Sequence, residues 1–221
     1  MAKGTRIEFS APYALFSRPE LSVERYSYDV PTPSALRGAI EAVFWHPGMR
    51  YVIDRIHVLN PIERTSVRRN ELGSKASANV MKTAIGKGRP LPSVVRSDVV
   101  QQRANVMLTN VRYVVDFHFD LTPAAAPTDT PAKFISMLNR RIQKGQCFSQ
   151  PYLGTRECSA DFRPVPMDEE PQGFYAGTGE RDLGLMLYDL DYSDPANIQP
   201  MFFHAVMRDG VVDVAGSEVF R

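Results

Sequence analysis

The fold of this chain is decided by residues 26–45, which read YSYDVPTPSALRGAIEAVFW. Thr32 is a residue type that caps helices, and Pro33 suits the first helical position, where a missing N–H costs no hydrogen bond. Apolar residues then recur at helical spacing, namely Leu36, Ala39, Ile40 and Val43. The stretch therefore predicts the end of a strand, a turn made rigid by proline, and an amphipathic helix over 33–45 that packs on a sheet.

The same pattern of strand and capped helix occurs a second time. Thr130 and Pro131 repeat the cap and the proline, and they predict a helix that runs to about Lys144. Alternating or β-branched runs predict strands over 6–9, 51–59 and 111–121. This order predicts an α+β fold with a ferredoxin-like (RRM-like) βαββαβ domain over residues 1–160. Residues 161–221 are predicted to form a small antiparallel, β-rich C-terminal appendage, which begins with a linker over 161–184 that is rich in Pro, Gly and acid.

Composition narrows the class of protein. The chain has 221 residues, of which 43% are hydrophobic and 23% are charged, and these values are typical of a globular protein. No apolar run approaches the roughly 20 residues that span a bilayer, and the N-terminus lacks the apolar core of a signal peptide. The two cysteines, Cys147 and Cys158, form no CxxC or Cys/His pattern. We therefore expect a cytoplasmic protein with no membrane partner, no structural metal and no cofactor.

Charge is distributed unevenly along the chain. The net charge is +1, but residues 64–103, here called the basic segment, carry +7, and the remainder carries −6. Periodicity fades inside this segment, and Gly86, Gly88, Pro90 and Pro92 interrupt it, so we expect weak structure there. A basic segment in a nearly neutral protein favours a polyanion such as a nucleic acid as partner. The alternative interpretation is a solvated, partly mobile insertion whose charge only keeps it soluble.

Three stretches, taken in their order along the chain, resemble a known family. They are residues 13–16 (YALF), residues 26–45 and residues 153–158 (LGTREC). Together they resemble the fifth Cas family of CRISPR-associated proteins in its subtype I-C (Dvulg) form, over nearly the whole chain. The resemblance implies binding of a CRISPR repeat RNA hairpin, metal-independent cleavage of precursor CRISPR RNA, and assembly with other subunits of a type I-C surveillance complex. Relatives tend to extend further, so the resemblance also implies that the chain ends early at Arg221.

The resemblance also implies a set of catalytic positions. Processing members of this family use a tyrosine at the end of the first helix, and a lysine followed by a histidine at the start of the second. The lysine position falls on Lys133, whereas the histidine and tyrosine positions fall on Phe134 and Phe44, which have no acid–base chemistry. His46 lies two residues after Phe44 and is the candidate replacement. The predicted catalytic residues are therefore Lys133 and His46.

Basic residues predict the RNA contacts. Arg140, Arg141 and Lys144 follow Lys133 along one side of the second helix, opposite the apolar stripe. A solvated cationic face explains this stripe equally well. The predicted RNA-binding residues are Arg37, Arg68, Arg69, Arg140, Arg141, Lys144 and Arg156.

Two further hypotheses remain open at this stage. A non-catalytic RNA-binding scaffold is favoured by Phe44 and Phe134, and non-specific double-stranded DNA binding through the basic segment is compatible with either function. Residues 173–179 contain GxG but lack the strand and helix of a dinucleotide site, so we reject that function. Their aromatic residues favour stacking on unpaired RNA bases.

Overall fold

The computed structural model describes residues 4–21, 23–74 and 77–221. Lys75, one of the nine basic residues of the basic segment, lies outside these ranges. The helices are α1 (Pro33–Val43), α2 (Ala78–Gly86), α3 (Arg96–Val99) and α4 (Pro131–Gln143). The strands are β1 (Thr5–Ala14), β2 (Arg25–Tyr26), β3 (Met49–Val58), β4 (Glu63–Leu72), β5 (Val100–Leu121), β6 (Asp161–Pro164), β7 (Glu180–Asp191), β8 (Gln199–Arg208), β9 (Val211–Asp213) and β10 (Val219–Phe220).

The core is one sheet with helices packed on it. Its main path runs β10-β8-β9-β3-β5-β1-β6, and β5 pairs antiparallel with β1 on one side and with β3 on the other. Along the chain, β1, α1, β3, β5, α4 and β6 follow the predicted βαββαβ order. Their order in the sheet, β3-β5-β1-β6, is compatible with a ferredoxin-like unit. The α+β class is confirmed.

Both predicted long helices form, because each has an N-terminal capping residue followed by an apolar stripe at helical spacing. The Thr32 hydroxyl accepts a hydrogen bond from the backbone N–H of Ala35 at 3.2 Å, and the Thr130 hydroxyl accepts one from Lys133 at 3.3 Å. The predicted stripe of α1 is buried, and so is that of α4, which consists of Phe134, Leu138 and Ile142. Within the described ranges, no helix is long and apolar enough to cross a membrane.

The basic segment is more regular than the sequence indicates. The predicted weak structure was wrong for its two ends, because β4 pairs with the first half of β5 from Glu63 opposite Thr109 to Leu72 opposite Val100. Half-buried residues alternate with exposed ones along β4, and many of the exposed ones are charged, as is common for an edge strand. Helices α2 and α3 and the glycines and prolines occupy only the tip. We call this projection the basic arm (residues 63–109).

The C-terminal strands continue the same sheet. β7 and β8 form an antiparallel pair, and β9 pairs with both β8 and β3. The predicted linker was wrong at its start, because β6 pairs with β1 and completes the core. The turn between β8 and β9 uses Asp209 and Gly210, both with positive φ. The predicted division into domains at residue 160 stays a prediction, and the sheet runs through it.

A buried ion pair lies on the sheet face opposite the helices. The Arg6 guanidinium donates to both carboxylate oxygens of Asp116, at 2.6 and 3.1 Å, and His57 Nε2 lies 3.0 Å from Asp116 Oδ2. All three residues are at most 6% exposed. Burial alone would raise the pKa of Asp116, but hydrogen bonds from His57 and Arg6 outweigh it and hold the pKa below its usual range.

Replacing Asp116 with Asn is expected to lower the free energy of unfolding at pH 7 by about 3 kcal/mol, because Arg6 would stay buried without a countercharge. The folded-state pKa lies below the unfolded one, so this contribution is complete above about pH 4 and is lost as the pH falls. Urea unfolding should therefore show a difference from wild type that is about 1 kcal/mol smaller at pH 3 than at pH 7. Asp120→Asn, an exposed change on the same strand, should stay within about 0.5 kcal/mol at both pH values. A pH-independent difference for Asp116→Asn would contradict this account.

Candidate functional site

One carboxylate brings the two predicted catalytic residues together. Asp129 Oδ1 lies 2.8 Å from Lys133 Nζ, and Asp129 Oδ2 lies 3.9 Å from His46 Nδ1. The Asp129 side chain is only 4% exposed, whereas those of Lys133 and His46 are 45% and 37% exposed. The site thus has a buried anion with two partly exposed basic groups above it, a lysine ammonium and an imidazole.

The segments that carry these groups are tied to each other by their backbones. Thr122, at the start of the loop before α4, donates its backbone N–H to Gly48 O at 3.0 Å and its hydroxyl to Pro47 O at 2.6 Å. A Cβ on Gly48 would lie 2.9 Å from Ala125 Cα, so glycine is needed for this close approach. Because these contacts join the loop after α1 to the loop before α4, His46 and Lys133 both lie beside Asp129 although 86 residues separate them.

Asp129 is held as an anion by donors on both sides. The hydrogen bond from Lys133 and the backbone hydrogen bond from Ala126, 3.0 Å from Oδ2, lower the pKa of Asp129 below its ordinary value. His46 Nδ1 accepts the backbone N–H of Gly48 at 3.1 Å, so in this arrangement the neutral ring carries its proton on Nε2. The imidazole therefore presents Nε2 away from the Gly48 backbone.

The predicted basic stripe of α4 divides into two roles. Arg141 donates to the carbonyl of Val43 at 3.0 Å, and its guanidinium lies 5.3 Å from the centre of the Phe44 ring. Arg141 therefore closes the end of α1, where the helix leaves carbonyls without partners. Arg140 and Lys144 are exposed and form no ion pair within the described ranges.

Arg37 is engaged with the C-terminal strands. Its guanidinium forms a two-pronged ion pair with Asp189 on β7, with Nη2 3.0 Å from Oδ1. Glu41 lies 3.6 Å from Arg37 Nε, and Arg50 Nη2 lies 3.6 Å from Asp189 Oδ2. The Asp189 side chain is only 6% exposed, so this pair fixes β7 against α1.

Of the remaining predicted RNA contacts, Arg68 and Arg69 lie on β4 of the basic arm, and Arg156 lies in the 153–158 stretch. Arg69 bridges Glu71 on its own strand and Glu157 of the 153–158 stretch, at 3.2 and 3.1 Å. Arg68 and Arg156 are exposed, and neither forms an ion pair with any residue that the structure describes. The structure therefore places Lys133 and His46 beside Asp129, Arg69 beside Glu157, and Arg37 beside Asp189.

Asp129 is a residue of this candidate site that the sequence did not predict. A signal existed, because Asp129 and Lys133 have the spacing at which an acid and a base pair across one helical turn. Its second neighbour, His46, could not be found in this way, because that contact joins two loops that are distant in the sequence. Among residues 4–21, 23–74 and 77–221, no three His, Cys, Asp or Glu side chains are grouped to hold a metal ion.

Comparison with known proteins now adds to this geometry. The family model described as "CRISPR-associated protein (Cas_Cas5)", in its Cas5d form, matches residues 5–215. The chain belongs to the Cas5 family. A protein of Mannheimia succiniciproducens named "CRISPR pre-crRNA endoribonuclease Cas5d" is 42% identical over 222 residues, which cover 97% of this chain and 96% of that protein. A Thermus thermophilus protein of the same name is 39% identical over 226 residues, with 95% and 90% covered.

Solved structures support the fold. A structure titled "Crystal Structure of CRISPR-associated Protein" has a TM-score of 0.72 and 24% identity, and covers 100% of this chain and 97% of that one. A functionally uncharacterized protein from Streptococcus mutans gives 0.71 and 24%, with 100% and 98% covered. At this identity the likeness concerns the fold alone, and it agrees with the observed sheet and helices. The resemblance to the Cas5 family in its subtype I-C form is confirmed.

The two phenylalanines at the implied tyrosine and histidine positions face the core. Phe134 is fully buried and Phe44 is 4% exposed, with ring centroids 6.2 Å apart. The Phe134 ring also lies 6.1 Å from that of Phe119 and 5.0 Å from that of His46. These side chains therefore act as packing, and the partly exposed His46 and Lys133 lie beside the Phe134 ring.

Removing the Arg37 side chain as Arg37→Ala is expected to lower the free energy of unfolding by about 3 kcal/mol, because Asp189 would remain largely buried. This value is at the low end for a buried pair, since Arg50 lies near the same carboxylate. Arg140→Ala, an exposed change, should cost no more than about 0.5 kcal/mol. Urea unfolding of both variants measures the difference, and a neutral Arg37→Ala would show that β7 does not depend on this pair.

Proposed function

We propose that this chain binds the repeat RNA of precursor CRISPR RNA and cleaves it without a metal ion. It would then retain the 5′ handle as a subunit of a type I-C surveillance complex. The observation that carries this proposal is the Asp129 carboxylate, which holds an ammonium and an imidazole at one accessible place. Two relatives that match nearly the whole chain carry the name pre-crRNA endoribonuclease, which supports the same activity. A cytoplasmic setting fits the free thiols of Cys147 and Cys158.

The reaction requires three things of the protein. The RNA 2′-oxygen gives its proton to solvent water and attacks phosphorus, the bond from phosphorus to the 5′-oxygen breaks, and that oxygen takes up a proton from the general acid. The products are a 2′,3′-cyclic phosphate and a 5′-hydroxyl. Lys133 Nζ supplies positive charge for the phosphoryl oxygens, and Asp129 keeps this ammonium in position.

His46 is suited to the acid role. In the neutral ring, Nδ1 accepts from Gly48 and Nε2 holds the proton. A second proton on Nδ1 ends the hydrogen bond from Gly48, and a small rotation of the ring then lets the new N–H donate to Asp129 Oδ2, which lies 3.9 Å away. The Nε2 proton can then pass to the leaving 5′-oxygen. We therefore assign His46 as the general acid and Lys133 as the electrostatic stabiliser.

RNA binding in this proposal rests on exposed cations. Arg140 and Lys144 lie on the same helix as Lys133, and Arg68 and Arg156 extend the positive surface to the basic arm. Phosphate contacts of this kind release counterions, so the affinity should fall as salt rises. Arg37, Arg69 and Arg141 hold protein groups, and their contribution to RNA binding is long-range charge.

A non-catalytic scaffold is the second candidate function. The burial of Phe44 and Phe134 favours it, because the implied tyrosine and histidine positions hold no proton-transferring group. Such a protein would hold the 5′ handle while leaving the RNA intact. Binding of double-stranded DNA by the basic arm is compatible with both functions, and it would show no preference for the repeat sequence.

The first test is incubation of the purified protein with its repeat RNA in EDTA. Cleavage is expected, and a matched RNA with a single 2′-deoxy nucleotide at the scissile position should stay intact, because the attacking oxygen is missing. Electrophoresis with end-group analysis should show the cyclic phosphate and the 5′-hydroxyl. Tight binding with both RNAs intact would establish the scaffold instead, and cleavage of the 2′-deoxy RNA would refute the mechanism.

Substitutions of Lys133 and Lys144, at the two ends of α4, are expected to distinguish a loss of cleavage rate from a loss of RNA affinity. Lys133→Ala should lower the single-turnover rate at saturating protein by about 10²–10³-fold with little change in affinity, because it removes charge stabilisation at phosphorus. Lys144→Ala, the matched change at the other end of α4, should weaken binding and leave that rate unchanged. Equal losses of rate and affinity in Lys133→Ala would refute its catalytic assignment.

A further inference from the structure

A groove of about 540 Å³ lies at the base of the basic arm. Its apolar surface comes from Val67 on β4, Met107 on β5, and Cys158, and Tyr13 at the end of β1 adds an aromatic ring that is 47% exposed. We call it the Tyr13 groove. Its volume is in the range of small-ligand sites, and its mixture of apolar surface with a few charged groups is typical of them.

Four segments that are distant in the sequence form this groove. They are the stretches 13–16 and 153–158, strand β2 with Arg25, and the basic arm. Leu15 donates its backbone N–H to Leu153 O at 3.1 Å, and Leu15, Met107 and Cys158 share a small buried cluster. At Gly154 φ is +87°, and a Cβ there would lie 2.0 Å from Leu15 O, so only glycine allows this contact. The walls are therefore held by the fold and are present before any ligand arrives.

Positive groups stand at the rim. Arg69 is fixed by Glu71 and Glu157, whereas Arg25 lies 3.6 Å from Glu71 in a looser pair and is 37% exposed. Arg25 can therefore turn toward an incoming anion without leaving a buried carboxylate unpaired, because Arg69 remains with Glu71. The rim thus offers a cation beside an aromatic ring.

These features match an unpaired nucleotide better than other ligands. A base needs an aromatic ring to stack on and an apolar surface to cover its faces, and its phosphate needs a cation nearby. The basic segment carries +7, which favours a polyanion as ligand. The exposed ring of Tyr13 favours a polyanion that has aromatic faces, as RNA has, over an acidic peptide. We propose that the Tyr13 groove binds one unpaired nucleotide of the repeat RNA, with its base stacked on Tyr13 and its phosphate at Arg25. This inference rests on the proposed RNA binding and adds a base-binding subsite to it.

The test combines protein variants with an abasic scan. The probe is the repeat RNA with a 2′-deoxy nucleotide at the scissile position, in EDTA, so that it stays intact. Each unpaired nucleotide is replaced in turn by an abasic one, and equilibrium affinity is measured with wild type, Tyr13→Ala and Tyr13→Phe. Phe220→Ala is the control, because this aromatic side chain is similarly exposed, at 43%, on β10 at the opposite end of the sheet path. Thermal unfolding checks that all variants are folded.

One position is expected to respond. Its abasic RNA should bind wild type and Tyr13→Phe roughly 5- to 150-fold more weakly than the intact RNA, which is the usual effect of losing one stacked base. Tyr13→Ala should weaken binding of intact RNA by a similar factor, and the abasic change should then cost it almost nothing further. Phe220→Ala should behave as wild type.

Other outcomes overturn the inference and are distinguishable from one another. An unchanged affinity and abasic profile in folded Tyr13→Ala would show that the groove takes no base, while RNA binding itself stands. Loss of binding to another subunit with unchanged RNA affinity would make the groove a protein-docking site. Failure of wild type to bind the repeat RNA at all would refute the proposed function, and the subsite with it.

Discussion

The pairing of β5 is the constraint on which the rest of the structure depends. This strand has 22 residues and bonds to β1 and β3 in its second half and to β4 and β2 in its first half. Asn110, with φ of 47°, lies between the two halves. Because a single continuous strand belongs to both the core sheet and the basic arm, the arm projects at a defined place. The Tyr13 groove forms at this junction, and the site around Asp129 forms at the other end, where β5 leads through a loop into α4.

At that site, different residues provide the packing and the electrostatic interactions. Phe44 and Phe134 fill the space between the helices and the sheet, and Asp129 organises the exposed basic groups above them. A buried carboxylate is costly unless it is paired, so Lys133 stabilises the fold while its own side chain stays 45% exposed. Asp189 and Asp116 are likewise buried and paired, each with an arginine. A count of basic residues would assign these arginines to RNA or to solvent, but they bind carboxylates of the protein.

The sequence by itself determined the local elements and the family. Thr32 with Pro33, and Thr130 with Pro131, predicted both helix starts, because a cap and its acceptor lie within one turn. Alternation over 111–121 predicted the second half of β5, since the burial of one face imposes a period of two. The family pattern and the departure at Phe44 and Phe134 led to the hypothesis that Lys133 and His46 are catalytic, which stays a prediction. These features depend on residues close together in the chain or on order along it, and a single sequence shows both.

Only the tertiary structure decided which distant groups meet. The two ends of the basic segment are strands because β4 pairs with the first half of β5. Neither the strand propensity nor the charge of a segment shows which strand it will pair with. Arg37 was removed from the exposed cations by Asp189, 152 residues away, and Asp129 gained His46 through the contact of two loops. The sequence alone does not distinguish a charged side chain that faces a phosphate from one that pairs with a buried carboxylate. Its role is set by the partner within about 4 Å, and folding alone supplies that partner.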